Sequence, residues 1–216
     1  MNRNYFKAVR PDGTDFHTGT VHWLPADGVI PADGWLVKHP HPAAQIGKGS
    51  AADASRYLSL STVATNCTGM EWPCRLLEVE PAGRAFLDNR FSHKRRVKAA
   101  RVLRELPATD TLGPQGVQVA ALIDQVSHLT ADQIIAHGAA WDADRDAAMD
   151  AALGAVYGAY RRDAWVAVQV AARVNSWDAA WDAALGWLAK DLISGEDFRT
   201  LTDPWTQVMG QIEVAV

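Results

Sequence analysis

Cysteine is scarce in this chain of 216 residues: Cys67 and Cys74 are the only two. Their separation is not a zinc-knuckle spacing, and two thiols alone cannot complete a four-ligand site. In a reducing compartment they are expected as free thiols. A disulfide would require the Thr68-Gly69-Met70 turn to bring them together. No stretch approaches the roughly 18 apolar residues of a membrane span. No long apolar run follows Met1-Asn2-Arg3-Asn4-Tyr5 either, so no secretory leader is expected. The expectation is a soluble, cytoplasmic protein. Proline is missing from Ala139–Asp191 and glycine is sparse there, which leaves a long stretch without helix breakers.

Two further absences concern chemistry. Gly47-Lys48-Gly49-Ser50 lacks the upstream glycine of a phosphate loop, whose place Pro42 holds, and Gly49 splits the Lys-Ser pair. His39 and His41 would point the same way from an extended segment, but no third ligand accompanies them. No metal is therefore expected.

Charge is unevenly divided. The net charge of −4 combines an excess of four positive charges over residues 1–112 with an excess of eight negative charges over residues 113–216. Such halves can attract each other or complementary partners.

The first half reads as strands and turns. Tyr5–Arg10 is a strand ending at Pro11-Asp12-Gly13, and Phe16–Leu24 alternates loosely as a second. The tetrapeptide Pro-Ala-Asp-Gly occurs at residues 25–28 and again at 31–34, each suited to a turn. Strands are expected at Trp35–Val37, Leu58–Val63, Arg75–Glu80, Ala85–Asp88 and, after a basic loop, within Lys94–Leu106. Pro107–Gly116 is the boundary. Beyond it Val117–Leu129, Ala139–Tyr160 and Asp163–Ile193 read as helices. Thr130 and Gln133 match a capping box. Ser194-Gly195 is expected to end the last long helix, and Asp203-Pro204 to start a short final one. The fold class is α+β: a β-rich α+β domain over residues 1–108, then an antiparallel α-helical bundle over residues 113–216.

Within the helical half, Ser176-Trp177-Asp178-Ala179-Ala180-Trp181-Asp182-Ala183-Ala184 is a near-repeat. Trp177, Trp181, Ala184, Leu185 and Leu188 share one helix face, which suits a packed core with close helix approach. Asp178 and Asp182, like Asp142 and Asp146, are spaced four apart on an adjacent face and are read as solvating charge.

The densest basic tract is Arg90, Lys94, Arg95, Arg96, Lys98, Arg101 and Arg104. Arg95, Arg96, Lys98 and Arg101 are the candidate binding residues for an acidic partner, the chain's own helical half included. Nucleic acid is not favoured, because the tract lacks interleaved aromatics beyond Phe91.

Arg10, Ser59-Leu60-Ser61-Thr62 and Glu78-Val79-Glu80 resemble the Arg-Ser-Glu elements of mono-ADP-ribosyltransferases. That resemblance implies NAD as the cofactor-substrate. Arg10 would hold its pyrophosphate, Ser59 would support the arginine and the glutamate, and Glu78 or Glu80 would steady an oxocarbenium-like transition state. The basic residues Lys94–Lys98 stand where that fold would place its glutamate, a departure from the pattern. A second resemblance covers more of the chain. Phe6–Thr14, Trp72–Glu80 and Val97–Val102, together with the Ala/Asp/Trp helices and Leu201-Thr202-Asp203-Pro204-Trp205, resemble a small uncharacterised domain family of actinobacterial and actinophage proteins. It implies an accessory binding protein of phage or mobile-element origin without a cofactor. Its helical part would mediate self-association or contact with a protein partner.

Overall fold

A computed structural model describes residues 5–42, 56–67, 71–88, 91–130, 132–133, 144–173 and 178–212. Their contacts divide the chain into two compact units, Met1–Gly69 with Pro73–Thr111, and Met70–Trp72 with Leu112–Val216.

The first unit is a seven-stranded sheet of β1 (Tyr5–Val9), β2 (Trp35–Lys38), β3 (Leu58–Ser61), β4 (Arg75–Pro81), β5 (Phe86–Asp88), β6 (Phe91–Val97) and β7 (Ala99–Leu106). The strand order is β2-β7-β4-β1-β3-β6-β5, and every pairing is antiparallel. β1 is the central strand. The four-residue β2 and three-residue β5 are the edges.

Only Lys98 separates β6 from β7, yet the two strands lie four places apart in the sheet. In a flat sheet four steps would span about 19 Å, whereas Val97 and Ala99 can be no more than about 7.6 Å apart. The sheet must therefore curl until the ends of β6 and β7 meet. The bend takes one extra residue. Val97 is buried inward before it, Ala100 and Val102 after it, while Lys98 is exposed; the inward set slips by one position, as at a bulge. The concave face collects Val9, Trp23, Val37, Leu58, Leu60, Leu77 and Val79 as a core.

Both Pro-Ala-Asp-Gly tetrapeptides are turns, closed by Gly28 N–H to Pro25 O and Gly34 N–H to Pro31 O, each at 2.8 Å. Gly34 adopts φ +82°, and a Cβ there would stand 2.7 Å from the Val102 carbonyl oxygen. Residues 16–24 do not form the expected strand. A single bridge joins Thr14 to His22, and the Asp15 carboxylate takes the donors that a strand would send to a neighbour.

The second unit contains α1 (Gly116–Ser127), α2 (Asp144–Gly158), α3 (Arg162–Arg173), α4 (Asp178–Ala189) and α5 (Gly195–Met209). No described helix is long and apolar enough to cross a membrane. The helices do not form the antiparallel bundle expected from the sequence. A bundle gives each helix one apolar stripe. Here α4 packs against all four others, while the successive helices α2 and α3 barely touch. Ala180, Ala183, Ala184, Leu185, Leu188 and Ala189 of α4 are each at most 1 % exposed, so α4 is a buried hub. Gly186 lets α5 approach closely: a Cβ there would meet Thr202 Cγ2 at 2.9 Å and Leu201 Cβ at 3.1 Å.

Three local expectations are corrected. Ser194 begins α5 instead of ending a helix: its hydroxyl accepts from Asp197 N–H at 3.1 Å and donates to the Asp197 carboxylate at 2.7 Å. Pro204 lies inside α5 and does not start a helix; packing of Leu201 and Trp205, both 1 % exposed, outweighs the lost backbone bond. Asp182 is not solvating charge. It is buried and ion-paired with Arg145 of α2. The capping hydrogen bonds between Thr130 and Gln133 are present. Trp177, Asp142, Arg90 and the Gly47–Ser50 segment lie outside the described residues, as does the side chain of Asp178.

Gly34→Ala is expected to cost about 1–3 kcal/mol through positive φ and the carbonyl clash, and Gly186→Val about 1–3 kcal/mol through overpacking. Thermal or urea unfolding of the two variants checks both.

Candidate functional site

The concave side of the sheet encloses a cavity of about 230 Å³. β1 supplies Lys7, the loop after it supplies Asp15, His17 and Thr18, and Trp23 closes that side. His39, Tyr57, Leu58 and Ser59 come from the ends of β2 and β3, and Asp88, Phe91 and Lys94 from β5 and β6.

The loop is fixed by two residues. Arg10 donates to the carbonyls of Asp15 and Phe16 at 3.0 and 3.1 Å. The Asp15 carboxylate accepts from Thr18 N–H at 2.7 Å, from the Thr18 hydroxyl at 2.7 Å and from Val21 N–H at 3.0 Å. Burial alone would raise the Asp15 carboxyl, but these hydrogen bonds, with a contribution from Lys7, hold it below the usual carboxylate value. Across the cavity, Arg96 grips Asp88 through Nε and Nη2 at 2.9 and 3.1 Å, and lies over the Tyr57 ring at 4.6 Å. Both members of that pair are buried.

Both lining carboxylates therefore already have their donors. The cations are less fully engaged. Lys94 donates to the Asn66 carbonyl. Lys7 makes no hydrogen bond among the described residues; its ammonium lies 5.1 Å from the Trp23 ring centre. Burial pushes Lys7 down from the ordinary 10.5 to about 8, partly opposed by Asp15. Trp23 is 1 % exposed, and its indole N–H meets no acceptor among the described residues. The cavity thus presents an ammonium beside aromatic side chains.

Of the residues singled out for transferase chemistry, only Ser59 reaches this cavity. Arg10 holds the loop. Glu78 is buried and takes Arg104 Nε at 2.5 Å. Glu80 faces Arg101 at 3.6 Å. The structure does not gather the four into one cluster. The candidate binding residues are also drawn into the sheet unit. Arg95 donates to the Ser92 and Lys94 carbonyls, Arg96 is buried on Asp88, and Arg101 donates to the Asp33 carbonyl. Lys98 is exposed at the bend. His39 is buried, and its Nδ1 accepts from His41 N–H at 3.1 Å. Among the described residues no group of three or more His, Cys, Asp or Glu could hold a metal ion. Cys67 and Cys74 are free and buried; Cys67 donates to the Ala64 carbonyl at 3.0 Å and burial pushes its thiol up to about 12.

Sequence reasoning missed Lys7, Asp15 and Trp23. The one available signal was a lysine inside an apolar strand, Tyr5-Phe6-Lys7-Ala8-Val9. A second cavity, of about 380 Å³, lies in the helical unit. Met149, Leu153, Tyr157, Trp165, Trp181 and Leu185 wall it, and the Arg145–Asp182 pair at its side is self-satisfied. No protein family, curated protein or solved structure matches the chain.

Lys7→Met is expected to raise the melting temperature at pH 7, because the wild-type protein holds a charge there that burial disfavours. The lowered folded value means that the unfolded chain binds the proton more tightly. Wild-type stability therefore climbs between pH about 8 and 10.5, and the gain from the variant shrinks over that window. Melting curves of both proteins from pH 7 to 10.5 check this.

Proposed function

We propose that the chain is an accessory binding protein and that the sheet unit carries the binding, in the cavity around Lys7, Trp23 and Lys94. Its ligand is a small anion with a flat apolar body. One observation carries this reading: the cavity's carboxylates are satisfied, while the Lys7 ammonium makes no hydrogen bond among the described residues. A carboxylate or phosphate supplies the missing acceptor atoms. Trp23, Tyr57 and Phe91 suit a ring or a planar chain. The resemblance to the actinobacterial and actinophage domain family supports an accessory role.

The NAD-transferase reading has less support, since Glu78 and Glu80 each hold an arginine away from the cavity. Contact through a tryptophan face of the helical unit also has less: among its described tryptophans, Trp165 and Trp205 are at most 4 % exposed, and Trp181 and Trp187 are partly buried against the core.

Calorimetric titration with 4-methylbenzoate, phenyl phosphate and the uncharged 4-methylbenzamide tests the proposal and separates carboxylate from phosphate. At least one anion is expected to bind and the amide not. Lys94→Met is expected to weaken the anion about tenfold, about 1.4 kcal/mol. Equal binding of the amide, or no binding by any of the three, overturns the reading.

A further inference from the structure

We infer that the Lys7 amine captures an aldehyde carbonyl of the bound ligand as a reversible imine, with Lys94 holding the ligand's anionic end. This rests on the proposed anion pocket and adds a covalent step to it.

Placement distinguishes Lys7 from the other lysines. It occupies an inward position of the central strand, opposite the buried Leu77 and two residues before the buried Val9. Its ammonium lies over Trp23 and makes no hydrogen bond among the described residues, so no bond has to break before the nitrogen can react. Lys94 shares the same cavity but is tied to the Asn66 carbonyl, which suits it to hold charge and not to attack. Lys98 is exposed on the bend, and Lys190 lies against Trp187 and Phe198 of the helical unit.

Imine formation needs the free amine. An ordinary lysine at pH 7 supplies it at well under one part in a thousand. With its value pushed down to about 8, Lys7 supplies about a tenth of its molecules in that form. The nitrogen lone pair attacks the carbonyl carbon and gives a carbinolamine. The carbonyl oxygen then leaves with two protons taken from the amine, as one water, and a C=N bond remains. No electrons are gained or lost, and added water reverses the step. The Asp15 carboxylate, which interacts electrostatically with Lys7, favours the protonated imine.

The test uses the full chain with 4-formylbenzoate and cyanoborohydride, read by intact mass and peptide mapping, beside titration with 4-methylbenzoate, which cannot form an imine. A reduced adduct is expected on Lys7 at least tenfold above any other lysine. Lys7→Met is expected to lose that adduct completely and to weaken 4-methylbenzoate, since it removes a cation of the pocket as well as the amine. Lys94→Met is expected to slow adduct formation and to weaken 4-methylbenzoate together. Labelling spread over the exposed lysines, or unchanged in Lys7→Met, overturns the imine whether or not 4-methylbenzoate binds. A selective Lys7 adduct without 4-methylbenzoate binding keeps the amine chemistry and overturns the anion pocket.

Discussion

One covalent constraint organises the sheet unit: strands four places apart in the sheet are joined through the single residue Lys98. No flat arrangement satisfies it. The sheet must curl, and curling creates a concave face whose middle strand is β1. Apolar side chains fill most of that face. Lys7 interrupts them, and a charge in so enclosed a position cannot be sealed over without several kcal/mol of desolvation. A cavity lined by Asp15, Trp23 and Lys94 is the alternative to that seal, so the curl and the lysine together define where a ligand can sit.

The periodic parts of the fold were legible in the sequence. β1, β2, β4 and β5 lie where alternation and turn residues put them, and the Pro-Ala-Asp-Gly turns close as their residue types demand. Within Lys94–Leu106 the strand was also legible, but its bend at Lys98 was not, because alternation inverts there over two residues with no glycine or proline to mark it. The loop after β1 was misread as a strand because its organiser is one carboxylate, Asp15, bonded to Thr18 and Val21; spacing alone does not reveal such a bond. The site was legible least of all. Basic residues counted along the chain suggested a surface, yet Arg96, Arg101 and Arg104 are each matched to an acid within the sheet. The chemically unusual position was a lone lysine that composition does not flag.

The helical unit shows the same limit on a larger scale. Alanine-rich periodicity identifies helices, but alanine is small enough to be buried on any side, so it does not say which helix ends in the centre. α4 takes that place because Ala180, Ala183, Ala184 and Ala189 admit neighbours around most of its circumference, and Gly186 leaves room for Leu201 and Thr202 of α5. Long-range polar links then join it to other helices. Asp182 at its middle accepts Arg145 from α2. Leu188 offers its carbonyl to Arg161, at 2.7 Å, and that same guanidinium reaches Asp191 just beyond the helix. Removing a partner would leave a charge stranded in a low-dielectric core.

The brevity of the sheet's margins has a consequence for the molecule in concentrated solution. β5 spans three residues and its register shifts at Asp88, whose carboxylate is committed to Arg96. β2 spans four and is followed at once by Pro40 and Pro42, which carry no N–H to offer. An incoming strand therefore finds too few free backbone donors and acceptors to continue the ladder. Both margins of the described sheet are thus short ladders, poorly suited to edge-to-edge pairing between copies.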